Sequence, residues 1–310
     1  VLIKWGIALL SVLLFLSACA QDQSQEKDPS KEQNQSLKKE QSSIKELSLP
    51  TKTMKTKEGE FPEIGHIVII VEENHSKKQI IGNKEAPYMN SLVAQGASLT
   101  NYHGTKHPSQ PNYLDMFSGS NHGVLNNEVP KSKFSKANLG SELIEKNYTF
   151  TGYSEDLPSV GYNGEEMGDY VRKHNPWVNF TNLPKETNQP LKNFPKDFTQ
   201  LSTVSMIVPN QQNNMHDGSI EKADQWLQQN IDSYVQWAKK NNSLLIITWD
   251  EDDGSEENKI PTFFVGPMVK MGEYNKELNH FNLLRSIEDI YGLTHAGKSN
   301  SVQPIAGIWK

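Results

Sequence analysis

The chain has 310 residues, a formal net charge of −6, nine histidines and a single cysteine. One cysteine excludes a disulfide framework and thiolate zinc sites. Much of the acidity lies in Glu72-Glu73 and Asp250-Glu251-Asp252-Asp253, and no Lys/Arg-rich stripe occurs outside residues 20–60. Nucleic acid is therefore not an expected partner, because backbone phosphates demand clustered cations.

In chain order, Lys4 precedes an apolar run from Gly6 to Leu16, followed by Leu16-Ser17-Ala18-Cys19. About a dozen apolar residues are too few to span a bilayer, which needs roughly 20, and small residues before a cysteine form the pattern of a lipoprotein signal peptide. Residues 1–19 are thus expected to be a signal peptide, with Cys19 lipidated and anchoring an extracytoplasmic protein to the bacterial cell membrane. From residue 20 to 60 the sequence is Gln, Ser, Lys, Glu and Asp with hardly an aromatic. Such a segment cannot bury enough apolar surface to offset the entropy of ordering. It reads as a tether of about 40 residues with an end-to-end distance of roughly 35 Å. Residues 61–310 are enough for one large domain.

Within that domain, Ile67-Val68-Ile69-Ile70-Val71 and Leu244-Leu245-Ile246-Ile247-Thr248-Trp249 are apolar runs that end in charge. They have the composition of strands buried on both faces of a largely parallel sheet. Thr262 to Val265 reads as a third strand, with shorter candidates at Tyr148 to Tyr153 and Val204 to Val208. Helical patterns fall between them at Ala86 to Gln95, Tyr113 to Ser118, Leu139 to Lys146, Ser219 to Asn241 and Phe281 to Tyr291. Strands alternating with helices predict an α/β fold, a three-layer sandwich around a largely parallel central sheet.

Ligands of such sheets gather beyond the carboxyl ends of the strands. Both strong strands end there in polar clusters: Glu72-Glu73-Asn74-His75 and Asp250-Glu251-Asp252-Asp253. Parallel strands would bring the clusters together, and converging carboxylates repel unless a cation sits between them. The expectation is a divalent metal with oxygen ligands. A third cluster, His107-Pro108-Ser109-Gln110-Pro111-Asn112-Tyr113, places a serine between two prolines ahead of an apolar helix. Proline is tolerated in a first helical turn, so Ser109 is expected at a helix N-terminus, where N–H groups and the helix dipole favour an anion. A plain N-cap serine is the alternative role.

Together these segments resemble the bacterial phosphoesterase family of acid phosphatases and phospholipases C in the alkaline phosphatase superfamily. The resemblance rests on Val71-Glu72-Glu73-Asn74-His75, the Ser109 segment, Met215-His216-Asp217-Gly218, Thr248-Trp249-Asp250-Glu251-Asp252-Asp253-Gly254, Pro261 to Pro267, and His280-Phe281-Asn282-Leu283-Leu284-Arg285. It implies an alkaline-phosphatase-like fold and a divalent metal, Ca, Mg, Mn or Zn, held by Glu73, Asn74, Ser109, Asp250 and Glu251. It also implies Ser109 as nucleophile and His216 as active-site histidine, with His107, Asp217 and His280 inside further motifs. Where the family pattern leads us to expect Asp two residues before the motif histidine, this chain has Asn214, which weakens the case for a second metal. Lys173 and His174, in Arg172-Lys173-His174-Asn175-Pro176-Trp177, are candidates to face the phosphate or its leaving group.

The implied activity is a phosphomonoesterase working through a phosphoseryl intermediate. The implied partner is a phosphate-ester small molecule or a phospholipid head group. Two alternatives stand beside it: a phospholipase C cutting phospholipid phosphodiesters, and a non-catalytic surface lipoprotein that binds phosphate or a partner. Two other motifs do not fit their context. Gly292 to Ser299 matches a nucleotide-triphosphatase phosphate loop but follows a predicted helix instead of a strand. No Gly-x-Ser-x-Gly nucleophile elbow is present. An EF-hand reading of the run at Asp250 fails because Gly254 stands where that loop needs a ligand.

Overall fold

The computed structural model describes residues 55–56 and 59–310. Cys19, the signal sequence and most of the expected tether lie outside the described residues. At the end of the tether segment, Lys55–Thr56 pairs antiparallel with Gly59–Glu60.

The large sheet holds eight strands. In chain order the elements are β1 (His66–Glu72), α1 (Lys77–Ile80), α2 (Pro87–Val93), β2 (Ala97–Leu99), β3 (Tyr102–His103) and α3 (Ser109–Ser118). There follow α4 (Leu139–Glu145), β4 (Phe150–Ser154), β5 (Glu166–Met167), β6 (Tyr170–Val171), β7 (Asn188–Pro190), β8 (Val204–Val208) and α5 (Ile220–Ala238). The chain ends with β9 (Ser243–Trp249), β10 (Thr262–Val265), β11 (Gly272–Tyr274), β12 (Leu278–Asn279) and α6 (His280–Tyr291). Sheet order is β11-β2-β10-β9-β1-β8-β4-β7. Only β10 opposes the common direction, being antiparallel to both β9 and β2.

The two central strands explain this placement. β1 is almost wholly β-branched and β9 is buried along its whole length, so neither tolerates an edge position where one side meets water. Parallel neighbours cannot be joined by hairpins, and the chain crosses between β8 and β9 through α5. That helix starts with Ser219 capping the N–H of Lys222 and buries Ala223, Leu227, Ile231, Tyr234 and Ala238 at helical spacing. α3, α4 and α6 pack on one another, while α2 packs with α5, giving a helical layer on each side of the sheet.

Two predicted boundaries moved. α3 begins at Ser109 instead of Tyr113, since the two prolines are accommodated in its first turn. The short edge strands β2, β7 and β11 were not predicted, because a periodicity of two is not visible in three residues. α3 is buried from end to end and stops at Gly119, whose φ of 66° is left-handed. A Cβ there would stand 2.0 Å from the Ala296 carbonyl oxygen, so only glycine allows this backbone-to-backbone contact. The segment after α6 turns through a 3-10 helix at Gly297–Ser301, with neither the strand nor the long helix that a phosphate loop requires.

One buried acid makes the fold sensitive to pH. On α6, Glu288 accepts from the Ala296 N–H at 2.8 Å and from Ser299 Oγ at 2.6 Å. Burial is the main cause that pushes its carboxyl up to about 7. A raised acid favours the folded state fully below its ordinary value, and the advantage is lost as pH rises through the folded value. The loss should amount to at most about 3 kcal/mol between pH 4.5 and 8. Glu288→Gln is expected to flatten the decline in melting temperature over that range; an unchanged slope in a pH series would refute the assignment.

Candidate active site

The site begins with register. β1 and β9 are parallel neighbours with Glu72 opposite Trp249, so Glu73 and Asp250 leave the sheet side by side. The Asp250 N–H donates to the Glu72 carbonyl at 3.1 Å, and the Asn74 N–H donates to Asp250 Oδ1 at 3.2 Å. Asn74 adopts a left-handed φ of 54°, a conformation that asparagine tolerates better than most residues. Side chains alternate along a strand. Glu72 therefore turns away, its charge neighbours including Glu155 and Asp224, while Glu73 turns toward α3.

Ser109 is the first residue of α3 and caps nothing with its side chain. Its hydroxyl lies between two carboxylates, 3.2 Å from Glu73 Oε2 and 3.3 Å from Glu251 Oε1. The helix dipole points at this spot, but few backbone donors remain there: the Gln110 N–H is taken by Asn127 Oδ1 at 3.0 Å, and Pro111 has none. Asn112 and Tyr113, one turn after Ser109, share its face. Asn112 Nδ2 donates to Glu251 Oε2 at 3.0 Å, and the Tyr113 ring stacks on His174 with centroids 5.0 Å apart. Neither role was assigned from sequence, although spacings of three and four from the serine carried the signal.

The histidines separate into distinct positions. His174 Nε2 is 2.9 Å from Glu73 Oε1, a close contact too poorly aligned for a hydrogen bond. His107 bridges Glu251 Oε2 at 3.1 Å and Asp252 Oδ1 at 3.3 Å. His216 Nδ1 is 2.7 Å from Asp217 Oδ1, and its ring centroid is 6.4 Å from that of His174; it stands one ring further out than the Ser109 cluster. His280 lies beneath the site, its Nε2 2.7 Å from the Asp250 carbonyl. Burial holds His280 down at about 4, so it supports the Asp250 backbone as a neutral ring. The acidic run divides as well: Asp252 receives the N–H groups of Gly254, Glu256 and Asn258 and shapes its own loop.

Three buried carboxylates therefore meet at Ser109. Burial would raise Glu73, yet His174 and Lys173 beside it hold it at about 2. Burial also disfavours the His174 imidazolium, and we take Glu73 as the stronger acid of the pair. Asp250 and Glu251 go the other way, Glu251 to about 8, through burial and the charge on Glu73. Asp250 Oδ2 and Glu73 Oε1 are buried without hydrogen-bond partners. Among the described residues no three His, Cys, Asp or Glu side chains form a ready metal shell. The donors converging here include a serine hydroxyl and an asparagine next to the acids, and orphaned carboxylate oxygens suit a hard divalent cation.

The comparisons agree with this geometry in kind. The sequence model of the phosphoesterase family matches residues 82–294, a stretch that begins after Glu73 and Asn74. A phosphatidylinositol-3-phosphatase of Mycobacterium tuberculosis is 49% identical over 250 residues, covering 80% of this chain and 84% of that protein. An acid phosphatase of Aspergillus fumigatus is 30% identical across 68% of the chain and 52% of its own length. A phosphate-repressible acid phosphatase of Penicillium chrysogenum is 29% identical, with 68% and 55% covered; the chain spans about half of each fungal relative. Among solved structures, an alkaline phosphatase superfamily protein of Vibrio parahaemolyticus superposes with a TM-score of 0.55 at 12% identity, covering 79% of this chain and 71% of that one. That likeness is one of fold. With a family match over most of the folded part and nearly half the residues shared with the mycobacterial enzyme, the chain belongs to the phosphoesterase family, hydrolases of phosphate ester bonds.

Proposed function

We propose that the chain is a metal-dependent phosphomonoesterase with Ser109 as nucleophile and a phosphoseryl intermediate. The observation that carries this reading is the Ser109 hydroxyl held between Glu73 and Glu251 beside two orphaned carboxylate oxygens. The mycobacterial relative, named for a phosphomonoester of a lipid head group, supports a monoester over a diester. A divalent cation held by Glu73, Asn74, Asp250, Glu251 and Ser109 would lower the hydroxyl pKa and offset charge on the phosphoryl oxygens; Ca, Mg, Mn and Zn all accept oxygen donors.

Ser109 Oγ bonds to phosphorus as the phosphorus–alcohol oxygen bond breaks. The hydroxyl proton passes to a carboxylate that Ser109 already faces. The departing alkoxide takes a proton from His216 Nε2, while Asp217 fixes the ring through Nδ1. Water then attacks the phosphoseryl phosphorus, releasing phosphate and restoring the serine. His107 holds Glu251 and Asp252 in place, and the α3 dipole favours the charge that builds on the phosphoryl group. The signal peptide, the lipid on Cys19 and the tether belong to the same proposal, presenting the domain at the outer face of the bacterial cell membrane within reach of lipid head groups.

Acid-quenched turnover mixtures should yield a peptide phosphorylated on Ser109, with inorganic phosphate released from phosphatidylinositol 3-phosphate and from p-nitrophenyl phosphate. Release of diacylglycerol from phosphatidylcholine without inorganic phosphate would replace this reading with the phospholipase C one.

A further inference from the structure

A groove of about 220 Å³ opens beside Ser109, lined among others by Gln110, Asn127, Glu165, Glu166, Lys173 and Gln211. Gln110 follows Ser109 directly on α3, so the inner end of the groove adjoins the hydroxyl. Lys173 is a charge neighbour of Glu73 and Glu251 and belongs to the same inner end. Glu165 and Glu166 sit farther out, at the start of the β5–β6 hairpin, and are exposed. Asp169, also exposed, adds a third carboxylate to that hairpin.

Both walls are fixed by hydrogen bonds inside the protein. Gln110 Nε2 donates to the carbonyls of Asn126 and Glu128 at 2.9 and 2.8 Å, and the Gln110 N–H holds Asn127 Oδ1. Opposite, the Arg172 guanidinium is committed to the Asn163 carbonyl and Asn179 Oδ1 at 3.0 and 2.8 Å. The Arg172 N–H donates to the Glu165 carbonyl at 2.8 Å, and the Gln211 N–H donates to the Asp169 carbonyl at 3.0 Å. The buried arginine therefore braces the hairpin and leaves its carboxylates as the open charges of the outer wall. The volume falls below the roughly 300–1,000 Å³ of a drug-sized pocket. The lining offers amide donors and acceptors and carboxylate acceptors, which match hydroxyl groups better than a hydrocarbon tail.

We propose that this groove is the leaving-group subsite, that it takes small uncharged polyhydroxy alcohols, and that Glu165 and Glu166 select against alcohols bearing a second anionic group. This rests on the phosphomonoesterase reading and adds the substrate class. Two exposed charges acting across a few ångströms of water-filled groove are worth about five- to twenty-fold in discrimination, screened by salt.

The test compares kcat/KM for glucose 6-phosphate and fructose 1,6-bisphosphate with the full chain, at 50 mM and 500 mM salt. The wild type should favour the monophosphate per scissile group, with a preference that shrinks at high salt. Glu165→Gln with Glu166→Gln should narrow the ratio five- to twenty-fold and remove its salt dependence, whereas Glu165→Asp with Glu166→Asp should retain both. A wild type that does not discriminate, or a preference that survives charge removal, overturns the subsite while the phosphatase reading stands. No phosphate release from any monoester overturns both.

Discussion

Ser109→Ala should lower phosphate release from p-nitrophenyl phosphate by at least about a thousand-fold, equivalent to roughly 4 kcal/mol of transition-state stabilisation. The residue is 2% exposed and its oxygen donates only to the two carboxylates at 3.2 and 3.3 Å. The loss is thus confined to one small polar atom, and no apolar contact of α3 goes with it. Circular dichroism should be unchanged, and the variant should yield no phosphorylated peptide after acid quench. Turnover within ten-fold of wild type would remove Ser109 from the nucleophile's role, whatever the metal content.

The second large effect concerns the acids. In metal-free protein, Glu73, Asp250 and Glu251 crowd together with only His174 and Lys173 to offset them. Asp250→Asn keeps an oxygen that can accept the Asn74 N–H and removes one of the converging acids, so the metal-free melting temperature should rise by a few degrees. Wild type should gain on the order of 5–10 °C from a divalent cation at a hundred times its dissociation constant, since that concentration adds about 2.7 kcal/mol. The variant should gain little and lose turnover. Activity indifferent to chelators, together with a wild-type melting temperature unmoved by Ca, Mg, Mn or Zn, would refute the cation.

Removing a charge that function needs should therefore stabilise the resting fold. The same opposition is seen at Asn74, whose left-handed backbone turns the chain at the end of β1 just where its N–H reaches Asp250. Strain and like-charge crowding are concentrated in a few residues at the strand tips, while the rest of β1 and β9 is apolar and buried.

The sequence by itself determined the elements and the chemistry they carry. The β-branched run of β1, the apolar run of β9, the helical spacing in α5 and the paired prolines around Ser109 are local signals, because they reflect how each segment meets water. A common strand direction was enough to bring Glu73 and Asp250 together in expectation. Only the tertiary structure decided which members of each acidic run face the serine: the pairing of Glu72 with Trp249 and the alternation of side chains select Glu73, Asp250 and Glu251 and turn Glu72 away. It also decided that His174 lies on Glu73, that His280 supports a carbonyl, and that the 126–128 loop and the β5–β6 hairpin face each other across a groove. Those contacts join residues tens to hundreds of positions apart, and no local periodicity encodes a distance that the packing of whole elements sets.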